Sequence, residues 1–571
     1  MKKVKYIIAL ALFLVTFTTL KVYSQSNYLF EPVWVESFSF NDPTHTDEKR
    51  DIFFDLSEVK NPSENTKLDI LQCVNFDALR PAPNPPRNLR DASWYKNINS
   101  PNFESFPNNF YNASSTIKYK GVVFLKMRNA NPQKNDVVVL RDDAVQVYWN
   151  INNTISGTLQ QNIPLSGGTI LIKGVYDADD NVEDAIIYAN PNIKIYKNLS
   201  TGLLTSTPLP SVINVGNLGA FPVIISAQIN GQTFPFNQFS DPFGDNKFDV
   251  IIKDDQNIRV YMNDNQNNTN LSQTISAGIQ LSSLAVADIN NDGYNDIIYS
   301  GNNILKIHLN LAGTGINSVP DLTISNNNFE TVKAIGVADL NNDGWNDLVL
   351  GLIYKVKIFI NNGQQTYFNN DPTEIITSNN FLTDSKEIRI ADLYNKGSLA
   401  VLITGTGPIA TNSLPPYEFE TLYRFNAVNE NPAPAPPIIY KSTQFQGGLL
   451  RPKIFMYHRG EKDFQRFKIY KRSPSTNNVL VPIAETSDFF YVDNSEYITE
   501  STNGEQATVF NCYYSVKEVD NTNLESILSY SLGYTVGGIP SCLACADGSD
   551  NSQSNPSIAN VELPRDYFIY N

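Results

Sequence analysis

A nine-residue acidic loop occurs twice in this chain, as Asp288-Ile-Asn-Asn-Asp-Gly-Tyr-Asn-Asp296 and as Asp339-Leu-Asn-Asn-Asp-Gly-Trp-Asn-Asp347. Oxygen-bearing side chains stand at positions 1, 3, 5 and 9, and Gly stands at position 6. Three carboxylates this close repel one another unless a cation lies between them. Many protein oxygens on a flexible loop suit Ca2+ better than Mg2+. Gly293 and Gly344 free the backbone to turn sharply. An EF-hand would carry Glu at position 12 and continue as a helix. Here Ile297-Ile298-Tyr299 and Leu348-Val349-Leu350 follow, so each loop is expected to run into a strand. The alternative is a solvated Asn/Asp turn that binds nothing; two copies with the same following strand weigh against it.

The loops belong to a longer repeat. Ala285-Val-Ala-Asp288 precedes the first loop, Ile304-Leu-Lys-Ile-His308 follows its second strand, and Gly336-Val-Ala-Asp339 with Lys355-Val-Lys-Ile-Phe359 repeats the plan. Weaker copies have the same hairpin. Asp249 opens one, preceded by Asp241 and Asp245, but Phe243 offers no ligand oxygen and Asn246 replaces Gly. Asp184 opens another, after Asp177, Asp179 and Asn181 in a loop one residue shorter. Asp136 follows Asn129, Asn131 and Gln133. At Asp392 the fifth position is Lys396 and the ninth is Ala400, so an ammonium stands where a cation would sit. The anchors 136, 184, 249, 296, 347 and 400 are spaced about 50 residues apart, the spacing of propeller blades. A poorer seventh copy lies near Asp51 and Leu68. The expectation is an all-β chain: a propeller of about seven blades, closed so that its sheet edges are protected.

The Ala-Asp-x-Asn-x-Asp-Gly-x-x-Asp unit resembles the FG-GAP/VCBS repeats of integrin-alpha-like propellers, over roughly residues 51 to 430. The FG-GAP sequence itself is not well kept, which favours the looser bacterial VCBS type. The resemblance implies Ca2+ held by positions 1, 3, 5 and 9 and the main-chain carbonyl of position 7. Carried over, one site is Asp288, Asn290, Asp292, Tyr294 and Asp296; the other is Asp339, Asn341, Asp343, Trp345 and Asp347. Weaker candidates are Asp241, Asp245 and Asp249, and Asp177, Asp179, Asn181 and Asp184.

The remaining chain divides by composition. Residues 1–24 have a basic start (Lys2, Lys3, Lys5) and an apolar run from Ile7 to Leu20, too short to span a membrane, and read as a signal peptide. The net charge of −15 argues against nucleic acid or anionic membrane surfaces as partners. The propeller is assigned to 25–430 and a stiff proline-rich linker to 431–437. Residues 438–537 have strand-like runs at Lys453–Tyr457, Phe467–Lys471, Phe489–Asp493, Cys512–Lys517 and Leu528–Leu532. They resemble a fibronectin type III β-sandwich, with Tyr457 where that family often has Trp. Residues 538–571 read as a flexible tail whose end resembles the start of a type IX secretion sorting domain. That implies a secreted or surface protein of a Gram-negative bacterium.

No nucleophile elbow, HExxH or phosphate loop is present, and the three His residues form no catalytic set. Trp94-Tyr95 is placed in an irregular stretch. Cys542 and Cys545 suit a disulfide better than a zinc site. The expected function is a monomeric, non-catalytic calcium-binding module recognising a partner protein or glycan. The alternative is a calcium-containing propeller lyase acting on acidic polysaccharide, which would need converging Arg/Lys with a Tyr or His.

Overall fold

The architecture is that of a computed structural model. It describes residues 30–35, 47–57, 69–79, 87–95, 97–99, 102–103, 108–114, 117–128, 135–151, 154–176, 183–209, 213–218, 222–230, 248–263, 269–325, 331–353, 355–364, 366–377, 384–393, 398–406, 420–427, 433–447, 449–458, 464–477, 479–496, 512–529 and 531–534. The chain is all-β; the helical segment among these residues is one turn of 3-10 helix at Pro474–Thr476.

Seven four-stranded antiparallel sheets follow one another. Sheet 1 opens with Asp47–Ser57 and Asp69–Leu79, and sheet 2 with Tyr119–Leu125 and Asp136–Arg141. Sheet 3 opens with Gly168–Gly174 and Asp184–Ala189, and sheet 4 with Val223–Ala227 and Asp249–Lys253. Sheet 5 comprises Ser283–Ala287, Asp296–Gly301, Ile304–His308 and Leu322–Ser325. Sheet 6 comprises Ala334–Ala338, Asp347–Gly351, Lys355–Phe359 and Glu374–Thr377. Sheet 7 takes Asp384–Ala391, Ala400–Thr406 and Glu420–Ala427, and Phe30–Val35 from the start of the chain completes its edge.

The second strands show why the sequence folds this way. In sheets 3 to 6 each begins with Asp and continues mainly in β-branched or aliphatic residues, and its residues are buried on both faces. Such a strand lies between two neighbouring sheets, so it reads as a continuous apolar run, without alternation. The third strands alternate and face solvent in part. In sheet 5 the turn between them is Asn302-Asn303, both at positive φ, which joins two strands tightly.

Cores lie between sheets. Val138, Leu140 and Val147 of sheet 2 meet Ala185 and Ile187 of sheet 3. Ile251 and Val260 of sheet 4 meet Ile297 and Tyr299 of sheet 5. Ala400 and Leu402 of sheet 7 pack with Phe54, Leu56 and Ile70 of sheet 1.

A second unit follows residue 437. Ile438–Gln446, Leu449–Tyr457 and Phe490–Val492 form one sheet. Val481–Thr486, Phe464–Arg472, Cys512–Asp520 and Leu532–Tyr534 form the other. Ile454, Met456, Phe467, Ile469, Tyr514 and Val516 share the core between them.

Two expectations need correction. Trp94-Tyr95 ends the strand Arg87–Tyr95, which pairs with sheet 1's second strand. The last strand of the second unit is Leu532–Tyr534, not 528–532. Ser526 and Ser529 hydroxyls accept hydrogen bonds from the Glu518 and Val516 amides, both at 2.9 Å, and side-chain bonding of this kind competes with a regular ladder. The signal segment, the tail, Lys396, Cys542 and Cys545 lie outside the described residues.

Candidate metal loops

The two acidic loops adopt the same conformation. Asp288 accepts hydrogen bonds from the Asp292 and Gly293 amides, at 3.2 and 2.8 Å. Asp339 accepts from Asp343 and Gly344, at 3.1 and 2.9 Å. Asp292 and Asp343 each accept from the side-chain amide two residues earlier, Asn290 and Asn341, at 2.9 Å. Their other oxygens accept from the Tyr294 and Trp345 amides, at 3.1 and 2.9 Å. Gly293 and Gly344 have φ of 82° and 94°, so the turn requires them.

Position 9 is the most enclosed. Asp296 and Asp347 are fully buried. Asp296 accepts from the Ile289 and Asn310 amides, both at 2.8 Å; Asp347 accepts from Leu340 and Asn361, at 2.8 and 2.7 Å. Burial pushes both carboxyls well above the ordinary carboxylate range. The charges of Asp292, on Asp296, and of Asp339 and Asp343, on Asp347, add to the rise, while backbone amides oppose it. A cation between these groups would reverse that balance. The donors are hard oxygens: three carboxylates, an amide oxygen and a main-chain carbonyl, a set that fits Ca2+. Among the described residues no three His, Cys, Asp or Glu side chains form a metal cage by themselves.

Two features escaped the sequence reading. The first is an Asn 14 residues after each position 9 Asp: Asn150, Asn198, Asn263, Asn310 and Asn361 donate their backbone N–H to Asp136, Asp184, Asp249, Asp296 and Asp347, at 2.7 to 2.9 Å. Four of these Asn side chains also reach the preceding sheet's segment. Asn198 donates to the Lys126 carbonyl, Asn263 to Tyr176, Asn310 to Ile229 and Asn361 to Ile289. The Asp–Asn pair thus latches one sheet to the one before it. Its signal, a fixed spacing, is present in the sequence.

The second feature is Arg128. In sheet 2 the loop before Asp136 carries no carboxylate, and the Arg128 guanidinium grips Asp136 instead, at 2.9 Å through Nε and 2.6 Å through Nη2. It also donates to the Asn150 carbonyl at 2.6 Å and lies over the Trp149 ring. A fixed cation stands here beside the position 9 carboxylate.

Aromatic residues brace the loops. A Cβ at Gly363 would lie 2.8 Å from the Trp345 ring, and one at Gly313 2.9 Å from the Tyr294 ring. Of the weaker candidates, Asp249 and Asp184 are latch residues; Asp241, Asp245, Asp177, Asp179 and Asn181 lie outside the described residues.

A mixed-charge cluster joins three sheets. Lys173 Nζ lies 3.6 Å from Asp55 and 3.7 Å from Glu183, and Arg389 pairs with Glu387 at 2.7 Å. Burial lowers the Lys173 ammonium, but Asp55 and Glu183 outweigh it and hold it above the usual range. His308 is a core residue: its Nδ1 donates to the Asn317 carbonyl at 2.7 Å and its Nε2 accepts from the Tyr299 hydroxyl at 3.0 Å.

Residues 241–299 and 288–350 match the FG-GAP-like repeat family. The chain carries FG-GAP-like repeats. No curated protein matches the chain in sequence. Among solved structures, BBS1N in complex with ARL6DN is 9% identical with a TM-score of 0.42, covering 71% of this chain and 99% of that one. An Agrocybe aegerita lectin that recognises non-reducing terminal N-acetylglucosamine is 13% identical with a TM-score of 0.38, covering 58% and 81%. The WD40 domain of SCAP from fission yeast is 12% identical with a TM-score of 0.32, covering 74% and 89%. Among the described residues no helix is long and apolar enough to cross a membrane.

Proposed function

We propose that this protein is a secreted or surface-displayed calcium-binding recognition module, monomeric and without catalytic activity. In this reading the seven sheets are the blades of one closed ring. Strand Phe30–Val35 closes it by joining the last blade, and the sheet 7–sheet 1 core supports that closure. The two-sheet unit after residue 437 is read as a fibronectin type III-like spacer between the ring and a cell-surface anchor. Residues 1–24 and the tail carry the export reading by sequence alone.

The observation that carries the calcium reading is the pair of identical loops around Asp296 and Asp347. Each holds a carboxyl pushed upward by burial first and by its acidic neighbours second. Arg128 beside Asp136 supports it, because the one such position whose loop lacks carboxylates has a built-in cation. Calcium would be held by Asp288, Asn290, Asp292, Asp296 and the Tyr294 carbonyl, and by the corresponding set around Asp347. Bound calcium would neutralise the carboxylates and rigidify loops that support a partner-binding face for a protein or glycan.

The lyase reading finds less support. Lys173 and Arg389 do converge, but on Asp55, Glu183 and Glu387, which would repel an acidic polysaccharide.

The test is thermal unfolding of the mature chain in calcium and in chelator, with bound metal counted. Ligand binding to the folded state alone raises its stability by mass action, about 2.7 kcal/mol at a hundredfold excess over Kd. Two bound ions with a clear calcium-dependent rise in Tm are expected. No bound metal and no rise would sink the calcium reading.

A further inference from the structure

The two loops touch through identified hydrogen bonds. The Asn346 side-chain amide, at position 8 of the second loop, donates to the main-chain carbonyl of Asp288, position 1 of the first loop, at 2.8 Å. Asn361 donates to the carbonyl of Ile289, position 2 of the first loop, at 3.0 Å, and to the Asn346 carbonyl at 3.1 Å. Asn361 is also the residue whose backbone N–H is held by Asp347, at 2.7 Å. A continuous chain therefore runs from a proposed ligand of the second site, Asp347, through Asn361 to the backbone between two proposed ligands of the first, Asp288 and Asn290. Asn346 forms a parallel link, and both links are buried.

We propose that the two loops bind calcium cooperatively, with Asn346 and Asn361 as the coupling residues. This rests on the calcium reading above and adds its regulation. The physical reason is geometric. Ordering the second loop around an ion fixes Asp347 and Asn346, and through them the Asp288 and Ile289 carbonyls. The first loop then loses less freedom when it binds. The coupling is reciprocal, because linkage between two binding equilibria must be.

The wiring has a built-in contrast. The first loop is tied to the preceding sheet in the same way, with Asn295 on the Gln228 carbonyl at 2.9 Å and Asn310 on the Ile229 carbonyl at 2.8 Å. There the residue in the place of Asp288 is Gln228, which follows Ala227 as Asp288 follows Ala287 and carries no carboxylate. The same connection therefore joins two full-pattern loops only between sheets 5 and 6.

The experiment is calorimetric titration of calcium into the chelator-stripped full chain and three variants. Asp292→Asn disables the first loop and Asp343→Asn the second; each keeps the shape of the side chain it replaces. Asn346→Ala cuts the link and leaves both ligand sets whole. Each single-loop variant should bind one ion with its affinity for the surviving site lowered about five-fold or more, within the usual range for coupled sites. Asn346→Ala should bind two ions with the coupling reduced. If the surviving sites keep the affinities they have in the parent, the coupling is refuted while the calcium reading stands. If the parent binds no calcium, both fall. If coupling is intact in Asn346→Ala, Asn361→Ser is titrated as the second link; intact coupling there too would refute the assigned route.

Discussion

Replacing Arg128 with Met removes the cation from a buried carboxylate while filling most of its volume. Asp136 is fully buried, and it would lose the Nε and Nη2 bonds at 2.9 and 2.6 Å. It would keep the Asn150 amide, while the Asn150 carbonyl loses its own bond to Nη2. Breaking a buried pair from one side costs about 3 to 5 kcal/mol; with Arg128 a fifth exposed, the lower end, about 3 kcal/mol, applies. The seven sheets run from residue 30 to residue 427. At about 2.1 cal/mol/K per residue for about 400 residues, this corresponds to a fall in Tm of about 4 °C. Tryptophan fluorescence reports on this unit, because Trp34, Trp94, Trp149 and Trp345 all lie within it. The fall should be equal in calcium and in chelator, since the loop before Asp136 has no carboxylates. Arg141→Met, which loses a pair with half-exposed Asp143, should change Tm by less than about 1 °C. A parent-like Tm for Arg128→Met, or a deficit that calcium erases, would refute the substitution of arginine for a cation.

Three further outcomes are expected. Asn310→Ala removes bonds to the Ile229 and Asn295 carbonyls and from the Gly313 amide and should cost about 2 to 4 kcal/mol, read from the same melting curve. Gly363→Ala places a methyl against the Trp345 ring at φ 64°, and should lower Tm and shift the Trp345 emission, whereas Gly167→Ala, with open space around it, should strain only the backbone. In the second unit, burial raises the Asp493 carboxyl, but hydrogen bonds from Ser495, Tyr514 and Lys471 outweigh it and hold it below the ordinary range. A depressed carboxyl adds stability that is present above its unfolded value, about 3.9, and is lost as pH falls through the folded value. The protection factors of amides in Phe464–Arg472 and Cys512–Asp520, corrected for the intrinsic exchange rate at each pH, should therefore fall in acid below that point, and Asp493→Asn should flatten this limb.

Legibility followed how local each signal is. The second strands were readable because Asp296-Ile-Ile-Tyr and Asp347-Leu-Val-Leu combine a loop end with an unbroken apolar run. The outer strand Leu322–Ser325 was not, since four residues with one buried side chain leave almost no pattern. The pairing of Phe30–Val35 with Glu420–Ala427 joins residues nearly 400 positions apart and has no local signature. The same holds for Asp55, Lys173 and Arg389, three isolated charges until the sheets bring them together. Arg128 sits eight residues before Asp136, at position 1 of the nine-residue frame, where the pattern expects a carboxylate and not a guanidinium. The Asn residues are visible in the sequence, and their constant 14-residue offset from the position 9 Asp is the clue.

That offset changes what position 9 means, and with it the choice of probe. In sheets 2 to 6 the Asp at this position holds the backbone of its Asn whatever the loop before it contains. The Asp–Asn backbone bond is therefore common to all five, and in the proposed reading calcium is an addition in the two loops that gather further carboxylates. Asp296→Asn would disturb latch and metal together and should lower Tm in chelator as well as in calcium. Asp292 lies outside the latch, and in chelator its charge raises the Asp296 carboxyl. Asp292→Asn should therefore leave Tm in chelator unchanged or raised, and lower it only when calcium is present. If Asp292→Asn is as damaging in chelator as Asp296→Asn, the acidic loop is a structural turn and the separation of latch from metal site is wrong.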